Sequence, residues 1–498
     1  MFKRLLLYSL GFAHLPALRA EATLPPTLEL PWGVYEGQPM ADDPDIYLFE
    51  NVRFGANPPR FGAPAFPTST STAIQPVSDG HNCIQIDPNG LREDCLFLDL
   101  YVPKTVIDNP PPKPLPVVVW IYGGAFSFGS KNQIGPLYTG QSVIAASNYQ
   151  TIFVADGAVD PTFKTFVFQS PAFEWAWDNS PMGKLDQVYQ NFSSVAGCGF
   201  AFNLTCLQGS TNLTAANQAL FDTVKQTGLF PVGPAVDDQW ITTIPTISFA
   251  NGKYWKSSIQ STIISHVLNE TASFTPPFVT SSDTFTEFLD VFLPGAELAS
   301  QRQKIAAQYP CTEAPYDGDY RLCIATVIRD ASFTCNTRDL YSAFPSISHM
   351  MRYGLPTASL TRHASDLVPL FSNYYSEAEA ILEKNNVSAL EANAYAFLLI
   401  DSDLAEAYQT YFASFALSGG NPNTIPMPEV LLRKPPAWTV ADGSGDELAN
   451  VLTIGPPDLV HSAFALDVFD DQNTKSACDF WTEIAKEIVE APQDATDL

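Results

Sequence analysis

Charge is scarce in this sequence, and basic charge scarcer still. Only 16% of the 498 residues are Asp, Glu, Lys or Arg, below the usual quarter, and 26 bases stand against 53 acids. A net charge of −27 repels nucleic acid and anionic membranes, both of which are bound through Lys/Arg clusters, so neither is an expected partner. No Cys-x-x-Cys pair occurs, which removes the common zinc and redox arrangements. There is no internal repeat and no long low-complexity tract, and past the N-terminus no run is apolar enough to cross a bilayer.

What is present points to export. Met1-Phe2-Lys3-Arg4 gives a basic start, Leu5 to Leu18 an apolar run, and Arg19-Ala20-Glu21-Ala22 small residues at a cut site. That pattern predicts a signal peptide over residues 1–20, too short to span a membrane. The polar, acidic tail from Ala491 to Leu498 offers no anchor, so the mature chain is expected to be released outside the cell. Eight cysteines, an even number, and five Asn-x-Ser/Thr sequons at Asn191, Asn203, Asn212, Asn269 and Asn386 agree with a disulfide-bonded glycoprotein.

Hydrophobic content of 46% allows a sizeable core, and 41 prolines imply many ordered connections. The one linker-like stretch, Asn109 to Pro114, is too short to separate domains, so residues 21–498 read as a single domain. Val117-Val118-Val119-Trp120-Ile121 is a continuous β-branched run of the kind that forms a parallel strand covered on both faces. Further strands are expected at Leu96 to Val102, Thr151 to Ala155, Phe163 to Phe168 and Ser258 to Val267. Helices are expected at Gly140 to Ser147, Thr284 to Phe292 and Glu377 to Lys384. Strands interleaved with helices mean an α/β sheet.

Four landmarks follow one another along this framework. Glu93-Asp94-Cys95-Leu96-Phe97-Leu98-Asp99-Leu100-Tyr101-Val102-Pro103 resembles a signature of the type-B carboxylesterases, the family of acetylcholinesterase and the fungal esterases and lipases. Trp120-Ile121-Tyr122-Gly123-Gly124-Ala125-Phe126 ends a buried strand where small residues let backbone N–H groups approach a developing oxyanion. By resemblance the donors are the amides of Gly124 and Ala125, the latter standing where relatives often carry a third glycine. Glu270, after the strand Ile263 to Val267, resembles the carboxylate that orients the catalytic histidine. Its neighbour Asn269 is then expected to be unglycosylated, since a glycan would crowd the pocket. His363, in Arg362-His363-Ala364-Ser365-Asp366-Leu367, takes the general-base position, and the family's acid-before-histidine order is kept.

The resemblance implies an α/β-hydrolase fold, with a large, mostly parallel central sheet flanked by helices. It implies acyl transfer on a small-molecule carboxylic ester, without metal or organic cofactor. It also implies the bridges Cys83–Cys95, Cys198–Cys206 and Cys335–Cys478, leaving Cys311 and Cys323 for a fourth; the residues alone permit roughly a hundred pairings. Only eleven residues separate Cys83 from Cys95, where relatives carry a lid-like flap, which favours small soluble esters over fat droplets.

One part is missing. The chemistry needs a serine at a strand-to-helix elbow, usually Gly-x-Ser-x-Gly, and relatives typically show Gly-Glu-Ser-Ala-Gly. That pattern occurs nowhere in the chain. Ala125-Phe126-Ser127-Phe128-Gly129 belongs to the oxyanion segment, and Ser444 in Asp442-Gly443-Ser444-Gly445-Asp446 falls after the histidine. The break falls around residues 155–163, where only seven residues, Asp156 to Thr162, separate two strands that should be parallel. A parallel crossover needs roughly ten or more. About two βαβ units, roughly 60 residues, are absent by this count. Three readings stand: an esterase gene whose product is here internally shortened, an inactive binding protein on the esterase scaffold, or an enzyme with an unusual nucleophile.

Overall fold

The computed structural model describes residues 24–490 apart from 76–81, 85–90, 127–128, 132–140, 148–151, 156–162, 173–183, 228–231, 234, 237–240, 255–257, 356, 358–360, 372–378, 380–387, 390–391, 393–401, 431–432, 457–462 and 468. The expected signal peptide, the helix over residues 377–384 (save 379), the acidic tail, the seven residues at the break, Ser127 and Asn386 therefore lie outside the described residues.

Two five-stranded sheets carry the fold. The first contains β1 (Gln38–Pro39), β2 (Ile46–Arg53), β3 (Phe97–Pro103), β4 (Val117–Trp120) and β5 (Ile152–Ala155), in the spatial order β1-β2-β3-β5-β4. Its early strands pair antiparallel, and β4 pairs parallel to β5, with helix α1 (Gln141–Ala146) between them in sequence. The second contains β6 (Thr165–Gln169), β7 (Ser261–Val267), β8 (Ser348–Tyr353), β9 (Val451–Ile454) and β10 (Phe464–Asp467), side by side in chain order. Its first four strands are parallel and β10 closes it antiparallel. The large sheet implied by the sequence is thus present as two halves. Among the described residues no strand joins the β4 edge of one to the β6 edge of the other.

A single core runs under both halves. Ile46 and Tyr101 from the first sheet cluster with Ile263, Val267, Met351, Tyr353 and Leu452 from the second, and with Tyr408, Tyr411 and Phe415 of helix α9 (Ser402–Ser418). Every residue of β7 is buried, as a parallel strand covered on both faces must be. Three of its four polar residues are partnered: the Ser261 hydroxyl donates to the Gly420 carbonyl at 2.8 Å, Thr262 meets Ser348 at 2.8 Å and His266 Nε2 meets Asp470 at 2.7 Å, while the Ser265 hydroxyl has no partner among the described residues. Such pairing offsets the cost of taking hydroxyls out of water.

Among the helices preceding α9 are α2 (Lys184–Val195), α3 (Leu204–Gly209), α4 (Leu213–Thr227), α5 (Ser282–Phe292), α6 (Tyr320–Arg329), α7 (Cys335–Ala343) and α8 (Leu367–Phe371); α10 (Lys475–Glu490) follows it. Helix α5 shows how sequence sets these elements. Ser281 caps its N-terminus, its hydroxyl accepting from the Thr284 amide at 3.3 Å while the Thr284 hydroxyl accepts from the Ser281 amide at 3.0 Å. Phe285, Phe288, Leu289 and Phe292, spaced to form one stripe, are buried against α6 and α10 residues, and Pro294 follows where the helix stops.

The four disulfides are Cys83–Cys95, Cys198–Cys206, Cys311–Cys323 and Cys335–Cys478. The last ties α7 to the C-terminal helix α10 across 143 residues, closing a long loop. No helix among the described residues is long and apolar enough to cross a membrane.

The α5 stripe gives a graded test. Phe288→Ala is expected to lower unfolding free energy by about 3–5 kcal/mol in urea titrations, and Ser281→Ala by only about 1 kcal/mol. Equal losses would contradict the claim that packing rather than capping holds this helix.

Candidate active site

Strand β7 delivers the first group. Three residues past its end, Glu270 is buried, and its Oε2 accepts the Val267 backbone N–H at 2.6 Å. Its Oε1 is hydrogen-bonded to Nδ1 of His363, which lies on the loop between β8 and α8. A carboxylate held by a backbone amide on one oxygen and by imidazole on the other fixes the ring's orientation. The ring packs at an angle against the stacked pair Phe274 and Phe333, its centroid 5.2 Å from each and theirs 5.8 Å apart. Among the described residues no side chain partners Nε2, and the imidazole side chain is 32% exposed. The nitrogen that a nucleophile would use is therefore open.

Burial works against the charged imidazole, but the Glu270 carboxylate, by charge and hydrogen bond, and the Asp366 charge outweigh it, so the His363 pKa lies above its ordinary value. Asp366 was not singled out from sequence. It is buried at the head of α8, and its Oδ2 accepts from Gln169 Nε2 at 2.8 Å. Burial pushes its carboxyl up to about 6, with the Gln169 hydrogen bond working the other way and the Glu270 charge adding to the rise. Asp366 Oδ1, Gln169 Oε1 and the Ser170 hydroxyl, all buried, have no hydrogen-bond partner among the described residues. Buried polar atoms are nearly always paired, so three orphans at the C-terminal end of the β6 edge mark a place where the polar surroundings are incomplete.

The glycine turn after β4 carries left-handed backbone at Gly124 (φ 139°), Ala125 (46°) and Phe126 (61°). Holding Ala and Phe there costs of order 1–2 kcal/mol each, so the flanks must enforce it. On one side Trp120, the last residue of β4, packs edge-on against Phe371 of α8 with centroids 4.8 Å apart. That contact links the turn to the helix that follows His363. On the other side Lys131 is buried with its ammonium 2.7 and 2.6 Å from the two Asp99 oxygens, and Asp99 also accepts from the Asn51 amide at 2.9 Å. Breaking such a buried pair costs roughly 3–5 kcal/mol, which makes it a firm anchor for the chain leaving the turn.

The structure thus joins Glu270 to His363 directly and ties the Gly124–Ala125 turn to the same neighbourhood through Trp120 and Phe371. No described serine partners His363 Nε2. Ser444 sits in an exposed turn, its amide donating to Asp442 at 2.9 Å. Among the described residues no cluster of His, Cys, Asp and Glu is arranged to hold a metal ion. Sequence reasoning missed Asp366, Gln169 and the Asp99–Lys131 pair, although Asp366 and Asp99 both lie inside the motifs it quoted.

A carboxylesterase family profile matches residues 25–155. A secreted lipase of Arthroderma benhamiae is 26% identical, the comparison covering 98% of each chain and extending over 564 positions. A carboxylesterase patB of Penicillium expansum is 23% identical over 58% of this chain and 64% of that one. Among solved structures, Aspergillus niger EstA superposes with a TM-score of 0.68 at 17% identity, covering 93% of this chain and 99% of that one. A PNB esterase gives 0.63 at 17% identity, over 91% and 99%.

Asp366 generates a pH prediction. Its carboxyl titrates higher in the folded than in the unfolded chain, so the folded form binds the proton more tightly and loses stability as pH rises from about 4 through about 6. Asp366→Asn removes this loss. Relative to the parent, the variant is expected to gain about 2–3 kcal/mol between pH 4 and pH 7 in urea titrations. Parallel pH profiles for the two would contradict the assignment. In the same protein Glu270→Gln is expected to lower the His363 pKa, read from the imidazole C–H resonances by NMR.

Proposed function

The chain belongs to the type-B carboxylesterase family and has its α/β-hydrolase fold, and from that premise we propose that the gene encodes a secreted serine carboxylic ester hydrolase of which these 498 residues are an internally shortened, inactive form. The observation that carries this reading is the pair of bare sheet edges. Among the described residues β4 and β6 each end their sheet, and Val117 and Val119 of β4, Ile121 just after it, and Val167 and Phe168 of β6 are exposed. Such β-branched and aromatic runs belong to strands covered by neighbours, and a parallel apolar edge left open is an association hazard that folded proteins avoid. One further parallel strand between them would complete a single sheet. The elbow serine of this family stands at the end of such a strand, and its absence coincides with the absence of Gly-x-Ser-x-Gly.

Length supports the same reading. The comparison with the Arthroderma lipase extends over 564 positions, whereas this chain has 498 residues, so at least 66 of those positions have no counterpart here. That is the size of the two βαβ units missing by the crossover argument. The orphaned Asp366, Gln169 and Ser170 atoms support it too, since a strand and elbow docked on the β6 edge would supply their partners.

In the complete enzyme, His363 Nε2 takes the proton of the elbow serine as its oxygen attacks the ester carbonyl, and later returns it to the leaving alcohol. Glu270 holds the ring and stabilises its cation. The amides of Gly124 and Ala125 receive the oxyanion. Water then repeats the sequence on the acyl-serine, with no metal or organic cofactor. Export is supported by the signal-like N-terminus, the four disulfides and the secreted relative.

Purified as it stands, the chain is expected to hydrolyse p-nitrophenyl acetate no faster than an unfolded control. Turnover that a serine-reactive phosphonate abolishes would contradict the proposal. With the missing segment of a relative inserted after Ala155, activity is expected to appear, and His363→Ala is then expected to cut kcat by about 10⁴-fold or more. The acid limb of that pH profile should fall above the ordinary histidine value, because His363 must be neutral to act and its pKa is raised.

A further inference from the structure

From Gln187 to Phe221 the chain has 35 consecutive residues without one Asp, Glu, Lys or Arg, where its average composition would place about six. This stretch includes most of α2, all of α3 and the start of α4. At its centre the Cys198–Cys206 disulfide clamps a loop that presents Phe200 and Phe202, 66% and 78% exposed, with Val195 and Leu204 also exposed beside them. The loop is firmly held. Tyr189 stacks on Phe202 with centroids 5.6 Å apart, and its hydroxyl accepts the Asn203 N–H at 2.9 Å. Arg60 donates to the Gln208 and Ser210 carbonyls at 3.1 and 2.9 Å, and this brings the exposed Phe61 alongside, its ring 6.2 Å from Phe192. A rigid, uncharged aromatic patch on a molecule of net charge −27 needs a cover or a partner.

The same loop carries a sequon, and the sequons differ in geometry. At Asn203 both the asparagine and Thr205 are exposed. The Asn203 side-chain oxygen caps α3 by accepting the Cys206 N–H at 3.0 Å, and its Nδ2 has no partner among the described residues. Sugar on Nδ2 leaves that cap intact, because the oxygen alone makes it. Asn212, with Thr214, is exposed on the same stretch. At Asn191 the sequon serine, Ser193, is fully buried, and at Asn269 the sequon threonine, Thr271, is buried against the Ala325 carbonyl.

We propose that Asn203 carries an N-linked glycan whose inner sugars cover the exposed faces of Phe200 and Phe202. In the attachment step Nδ2 bonds to the anomeric carbon of a lipid-pyrophosphate-linked oligosaccharide. The carbon–oxygen bond to pyrophosphate breaks, Nδ2 gives up a proton, and the lipid pyrophosphate leaves. A glycan rooted one residue from Phe202 lays the C–H faces of its sugars on the rings and turns its hydroxyls to water. It supplies the hydration that missing charges would otherwise provide. The inference rests on export and is independent of whether the chain is catalytically complete.

The full chain, secreted from yeast, tests this. Peptide mass spectrometry after peptide N-glycosidase treatment in ¹⁸O-water should mark Asn203 and Asn212 as occupied and Asn269 as bare. Removing glycans from the folded protein should raise 1-anilinonaphthalene-8-sulfonate fluorescence by roughly twofold, and Phe200→Ser/Phe202→Ser should abolish that rise. Because the glycans are removed after folding, a variant that fails to fold cannot mask the result. A chain retained in the cells would overturn export and this inference together, whereas a bare Asn203 on the secreted chain would overturn this inference alone. Occupancy at Asn203 with unchanged fluorescence would overturn the covering role. Binding of the intact glycoprotein to phosphatidylcholine vesicles, lost on Phe200→Ser/Phe202→Ser, would instead make the patch a lipid-docking surface.

Discussion

A parallel strand made of Val, Ile and Phe is stable only when helices cover its faces and neighbours pair its edges. The whole molecule depends on that constraint, because residues of both halves of the sheet share one core with Tyr353, Tyr408 and Tyr411. Where pairing stops, at β4 and β6, the cost is twofold. Backbone groups forgo ladder hydrogen bonds, and apolar side chains that would each contribute about 1.5–3 kcal/mol on full burial stay wet. Against a total stability of about 5–15 kcal/mol this is a large fraction. The four disulfides, with Cys335–Cys478 closing the longest loop, are the main covalent offset.

The site inherits its order from that sheet. Glu270 is fixed because β7 is buried along its length and ends in the Val267 amide that the carboxylate accepts. His363 is fixed because Glu270 holds one nitrogen and the stacked pair Phe274 and Phe333 packs against the ring. The Gly124–Ala125 turn is fixed between Trp120 on Phe371 and Lys131 on Asp99. Each of these anchors lies beside the bare edges rather than across them. The Glu270–His363 pair and the Gly124–Ala125 turn can therefore persist, each on its own anchors, while no described serine partners His363 Nε2.

Much of this was legible in the sequence because it is local. The apolar runs that became β4, β5, β6 and β7 and the helix α5 are each read from a few neighbouring residues, whereas Glu270 and His363 were picked out by family resemblance. Their ends moved by a few positions, as at β6, expected from Phe163 and observed as Thr165–Gln169. The polar pairs that tune the site were illegible for a physical reason. Gln169 and Asp366 are 197 residues apart, and Lys131 and Asp99 are 32 apart, so only the folded sheet brings them together. Nothing in composition or spacing says that an aspartate in a motif is buried. The division of the sheet was legible only as a crossover too short to exist.

The most direct measurement is the sequence of full-length transcripts across the codons for Ala155 and Asp156. The account predicts mature transcripts with an in-frame insert of about 60 codons or more that encodes Gly-x-Ser-x-Gly. Transcripts that read straight through, together with a stable secreted 498-residue-precursor product, would contradict it.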